Sequence, residues 1–113
     1  MSGRPRLSTR LTLEERQASP DGAGGSIVTW VALGDIWGEV TVRSGRDSLV
    51  GDTTTSRTSY RIVMRHVPEG APSRPRPDQR LRKGARVFRI VAVGEEAGDP
   101  RYLTCFCVEE APA

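Results

Sequence analysis

A chain of 113 residues, 36% of them apolar and carrying a formal charge of +3, has the length for one modest core over residues 1–113 and not for two. No window approaches the roughly 18 apolar residues of a membrane span, and Arg4, Arg6 and Arg10 have no apolar stretch behind them, so the expectation is a protein that is neither membrane-spanning nor sent out by a signal peptide. The charge is uneven: residues 43–89 hold 12 basic side chains against 4 acidic ones, a local net of +8, whereas from Gly94 onward one arginine faces five carboxylates. That asymmetry suits a polyanion, or subunits packing unlike face to unlike face, or else an ordinary solvated surface in an arginine-rich proteome.

The first strand is predicted over Arg10 to Gln17, with Leu11 and Leu13 on one face. Ser19-Pro20-Asp21-Gly22-Ala23-Gly24-Gly25 is a dense turn cluster that reverses the chain. A second strand follows from Ser26 to Leu33, Gly34-Asp35 marks a break or bulge, and a third runs from Ile36 to Val42, either separately or as one long bent strand with the second.

A polar interruption from Arg43 to Thr58 then separates two alternating segments. Hairpins need about two to five residues, and loops beyond roughly twelve to fifteen are commonly functional or disordered. The loop proper, Ser44-Gly45-Arg46-Asp47-Ser48-Leu49-Val50-Gly51-Asp52-Thr53-Thr54-Thr55-Ser56, is small and polar, with Arg43 and Arg57 at its flanks. It cannot build a packed core by itself, so neighbours are expected to order it.

Ser59 to Val67 alternates again, Tyr60, Ile62 and Met64 on one face and Arg61, Val63 and Arg65 on the other. Four prolines between Pro68 and Pro77 exclude helix and central strand, which leaves a path over the surface. Asp78 to Lys83 fits a helical turn capped by Asp78 or a short extended piece, ended by Gly84. Val87 to Val93 is apolar on both faces except at Arg89 and reads as a central strand; after a turn at Gly94 to Pro100, Arg101 to Glu109 closes the chain. Five to six strands without helical periodicity give an all-β fold, a small antiparallel barrel or sandwich with one long projecting loop.

Little here points to catalysis. His66 is the only histidine, and Cys105 and Cys107, two apart on a strand, lack the second ligand pair of a zinc site and are too extended to pair readily with each other. They read as buried small side chains in a reducing compartment. The adjacent pairs Glu14-Glu15, Glu95-Glu96 and Glu109-Glu110 point to opposite faces of a strand and read as solvated edges. No cofactor or metal is expected. Trp30 and Trp37 read first as core or rim anchors and second as platforms for base stacking, while Arg61 and Arg65 are candidates for contact with DNA phosphates or with acidic residues of a neighbouring subunit.

Arg6-Leu7-Ser8-Thr9-Arg10-Leu11-Thr12-Leu13, Val28-Thr29-Trp30, Ile36-Trp37-Gly38-Glu39-Val40, Ser44-Gly45-Arg46-Asp47, Tyr60 to Arg65, Arg86 to Ile90 and Leu103-Thr104-Cys105 follow one another in an order and spacing that resemble the head-tail joining proteins of tailed bacteriophages. These are also called head-closure or stopper proteins, and occur too in the gene transfer agents derived from such phages. The departure is Val67 to Pro77, longer than the family's usual connection. The resemblance implies a β-barrel assembled in the bacterial cytoplasm into a ring, usually of twelve subunits, in the neck of the particle. The ring sits below portal and adaptor and above the tail terminator or tail, with packaged double-stranded DNA in its channel and no membrane partner. It implies further that the Ser44 to Ser56 loop projects into that channel as a gate or inter-subunit contact. The competing readings are a single-stranded nucleic-acid-binding barrel, supported by the basic segment and the tryptophans, and a tail-terminator protein; a helical adaptor is disfavoured by the strand periodicity.

Overall fold

The computed structural model describes residues 4–43, 58–96 and 98–110. Six strands, β1 (Thr9–Pro20), β2 (Ser26–Val42), β3 (Ser59–Arg65), β4 (Arg80–Lys83), β5 (Arg86–Glu95) and β6 (Tyr102–Glu110), pair antiparallel in the order β1-β2-β3-β6-β5-β4 and close into a barrel. Alternation decides which side chains enter it. Leu11 and Leu13 of β1, Ile62 and Met64 of β3, Leu81 of β4, Phe88 and Ile90 of β5, and Leu103, Cys105 and Cys107 of β6 are all buried in one cluster. Closure leaves each strand one interior face, which settles the choice between barrel and sandwich. Both cysteines are free and buried, and burial pushes the Cys105 thiol up to about 12 and raises Cys107 as well.

Of the two readings left open for Ser26 to Val42, one continuous 17-residue strand is observed: Leu13 pairs with Gly34 but Glu14 with Ala32, so a bulge at Leu33 absorbs one residue without interrupting β2. Gly34 sits there at φ +148°, a conformation side chains rarely adopt. β1 continues to Pro20, and the reversal occupies only Asp21 to Gly25, where the Asp21 carboxylate accepts from the backbone N–H groups of Ala23 (2.7 Å) and Gly25 (3.0 Å). Asp78 caps no helix. Its φ is +74°, its N–H donates to the Ile90 carbonyl, and Arg80 to Lys83 is extended.

β5 is not buried on both faces. It carries its own bulge, since Ile90 pairs with Cys107 and Ala92 with Phe106, and the extra residue Val91 is 56% exposed. Trp37, expected as an anchor, lies on the outside and is 54% exposed. β3 ends at Arg65, and the proline-rich segment after it keeps to the barrel more closely than a surface path implies, with Pro75 fully buried and Arg74 donating to the Val67 carbonyl at 2.8 Å.

β2 serves two neighbours in turn. Along Ser26–Gly38 it pairs with β1, and along Gly38–Val42 with β3. At the changeover a Cβ on Gly38 would stand 3.0 Å from the Val63 carbonyl oxygen and 3.1 Å from Ile62 Cγ2, so any larger residue would push the strands apart by a few tenths of an ångström.

The shortest seam is β1 with β4, three residue pairs: Thr12 with Arg82, Leu13 with Leu81 and Glu14 with Arg80. Glu14, read as a solvated edge, is only 5% exposed; it accepts from Arg80 Nε at 2.6 Å and from Arg82 Nε at 2.9 Å. Arg80 also lies over the Trp30 ring at 4.1 Å, tying β4 across β1 to β2. Burial alone raises the Glu14 carboxyl, but the two guanidinium groups outweigh it and hold the group below its ordinary value of 4.5.

Glu14→Gln leaves both arginines without their anion and is expected to cost about 1–3 kcal/mol at neutral pH, discounted from a fully buried pair because Arg82 is half in solvent. Because folding lowers the carboxyl's affinity for protons, its stabilisation is complete above the ordinary glutamate range and lost as pH falls through the folded value. The gap between wild type and variant, measured by urea denaturation, should therefore narrow as pH drops below about 4.5. Gly38→Ala should destabilise by about 1–3 kcal/mol in the same assay through overpacking at the three-strand junction.

Candidate functional site

The expected loop residues, Ser44 to Ser56 with Arg57, lie outside the described residues, but the stem from which they leave is well defined. The Arg43 N–H donates to the Ser59 carbonyl at 2.9 Å, and the Glu109 N–H donates to the Thr58 carbonyl at 3.0 Å. The loop thus departs from one end of the barrel, where Val42 pairs with Tyr60 and Tyr60 with Cys107.

Below the stem, Tyr60 and Phe88 meet edge to face, centroids 5.0 Å apart. The Arg86 guanidinium lies 4.9 Å over the Phe88 ring, donates to the Tyr60 hydroxyl at 3.1 Å and forks onto the Glu109 carboxylate at 2.8 and 3.1 Å. Arg86 holds Glu109 below the usual carboxylate range against the opposing effect of burial, and Tyr60 is raised by burial and then by Glu109. Arg43 rests over the Phe106 ring at 5.1 Å. Aromatic packing and a bidentate ion pair fix the exit points of the loop, so its length need not loosen the barrel.

The two other expected contact residues differ in their surroundings. Arg61, on the outer face of β3, pairs with Glu96, which also accepts from the Thr104 hydroxyl; these two bonds hold Glu96 below its ordinary value. Arg65, two positions along the same face, is exposed and has no carboxylate partner among the described residues.

Half of the twelve basic side chains of residues 43–89 are paired with carboxylates of the same chain. Arg80 and Arg82 meet Glu14, Arg86 meets Glu109, Arg61 meets Glu96 and Arg89 reaches Asp78 at 3.4 Å. The Glu-Glu pairs of the sequence supply Glu14, Glu96 and Glu109 to these contacts, while Glu15 lies 3.8 Å from Arg76 and Glu95 lies 3.1 Å from His66 Nε2. Alternation explains why only one of two neighbours can reach a given arginine, but their partners are visible only once strands are paired.

A surface cleft of about 540 Å³ brings Arg4, Arg61 and Arg101 together with Glu39, Glu96 and Asp99, but two of its arginines are already paired, Arg61 with Glu96 and Arg101 with Asp99 at 2.9 Å. Among the described residues no group of three or more His, Cys, Asp or Glu side chains could hold a metal ion, and no helix is long and apolar enough to cross a membrane.

Comparison with known proteins agrees with a role in assembly. A chain in the virion of a native gene transfer agent particle is 47% identical, with a TM-score of 0.79, over 97% of this chain and all of that one. Protein SF1141 from Shigella flexneri 2a, 22% identical with a TM-score of 0.66 over 98% and 97% of the two chains, shares the fold. Among curated proteins no significant match is found. Residues 3–110 match the model of the phage head completion proteins, and the chain belongs to that family.

Proposed function

We propose that this protein completes the head of a phage or gene transfer agent particle, forming a ring, twelve subunits in the reading adopted here, that joins the portal and adaptor to the tail and retains packaged double-stranded DNA. The observation that carries the proposal is the 47% identity, across nearly the whole of both chains, to a chain in a gene transfer agent virion. The whole chain acts as one unit in the neck, assembled in the bacterial cytoplasm, and it works by assembly rather than by catalysis.

Within this reading the loop from Ser44 to Ser56 is the channel gate or inter-subunit contact, flanked by Arg43 and Arg57. The braced stem supports it: a segment fixed at both ends by Arg43, Ser59, Thr58 and Glu109 can reach inward while the barrel stays closed. Thr53 to Thr55 are β-favouring residues that can pair from subunit to subunit around a ring. Arg65, without a carboxylate partner among the described residues, is the better candidate of the outer pair for DNA or a neighbour, since Arg61 is neutralised within its own subunit. The same internal pairing of arginines weakens the alternative of a barrel for single-stranded nucleic acid, which needs an unneutralised basic groove.

Deletion of residues 47 to 55 should leave the subunit folded, by circular dichroism and urea denaturation, while particles assembled with it leak DNA or lack tails. Fully functional particles from that deletion would refute the loop's role.

A further inference from the structure

The barrel leaves a long part of β2 without a neighbour. β3 pairs with it only from Gly38 to Val42 and β4 pairs with β1 only from Thr12 to Glu14, so Glu15–Pro20 and Ser26–Val31 stand out as a two-stranded arm about 20 Å long at ~3.3 Å per residue. The arm contributes to an elongated molecule, 56 × 37 × 23 Å. Isolated two-stranded ribbons are marginal in water. The β2 half of this arm carries exposed apolar side chains on both faces, Ile27 (52% exposed) and Val31 on one and Val28 on the other, opposite a mostly polar β1 half from Glu15 to Pro20. From Ser26 to Gly34 the free edge contains no charge and no proline, the devices by which proteins ordinarily guard an unpaired edge.

A second uncovered apolar surface lies where β2 leaves β3. It is a groove of about 480 Å³ lined by Leu7, Ile36, Trp37, Met64 and Val67 together with Arg65, Ser73 and Asp35, whose carboxylate is already paired with Arg10. The two surfaces differ in the way partners do: one protrudes and the other is concave, both are apolar, and both belong to the same chain. Their charges also match. Asp21 at the arm's tip is the only acidic residue between Arg16 and Asp35, and Arg65 at the groove has no carboxylate partner among the described residues.

We infer that the arm of one copy of this chain docks in the groove of the next, running beside the free edge of β2, covering Trp37 and bringing Asp21 toward Arg65. Such a contact is head to tail: each copy gives one arm and receives one, so it propagates until a ring closes. The inference rests on the ring proposed above and names the surfaces that build it.

The test is cysteine cross-linking of the purified full chain at high concentration, with a short bismaleimide. Cys105 and Cys107 are buried and serve as an internal blank in the wild type. The Ile27→Cys/Ser73→Cys double variant should give a covalent ladder of dimer, trimer and higher forms, and an equal mixture of the two single variants should stop at the dimer. Trp37→Ala added to the double variant should reduce cross-linking tenfold or more. Covalent dimers from Ile27→Cys alone would indicate symmetric edge pairing and overturn the contact. So would the absence of a ladder, and in that case rings seen by electron microscopy of particle necks would preserve the proposed function while their absence would remove both.

Discussion

Closing this barrel falls to its shortest seam, three residue pairs between β1 and β4, and the Glu14 carboxylate held by Arg80 and Arg82 is what makes so short a seam sufficient. Three ladder pairs contribute little against the entropy of fixing β4 at the end of a proline-rich connection. A charge-assisted bond from each of two alternate β4 residues to one carboxylate on β1 adds both energy and register, because slipping β4 by one residue would turn both guanidinium groups inward and Leu81 out. With Arg80 also lying over Trp30, the seam spans three strands rather than two.

Because β4 is so short, β1 after Glu14 and β2 before Gly38 have only each other as partner strands. The arm and the loop stem are thus opposite outcomes of one geometry. At the stem, Tyr60, Phe88, Arg86 and Glu109 satisfy one another. At the arm, Ile27, Val28 and Val31 are left in water. A single chain accepts that exposure at a cost, which the proposed docking of the arm on a second copy would remove.

The sequence made the barrel's interior readable because alternation is local: Tyr60, Ile62 and Met64, or Leu103, Cys105 and Cys107, declare a face without knowledge of their neighbours. What remained hidden depends on distant partners. Glu14 looks like half of a solvated acidic pair until residues 66 and 68 positions away are brought beside it. The continuity of β2 is hidden by Gly34, which signals a break and a bulge alike. Trp37 was expected first as a core or rim anchor because large aromatic residues carry much apolar area, and its place outside fits the proposed docking of a second copy. The stem's Arg86 and Glu109 gave no signal, since a basic run and an acidic tail look like opposite ends of a charge gradient until β5 and β6 are paired.

The barrel closes within one subunit, whereas the β1–β2 arm, in the assembly proposed above, is covered only by a second copy. Amide hydrogen exchange of the isolated subunit and of the assembled protein separates the two: Ile27 to Val31 should exchange orders of magnitude faster than Ile62 and Cys105 in the isolated subunit, and assembly should slow them strongly. Arm amides already as protected as those of β3 and β6 in the isolated subunit, and unchanged on assembly, would contradict that arrangement.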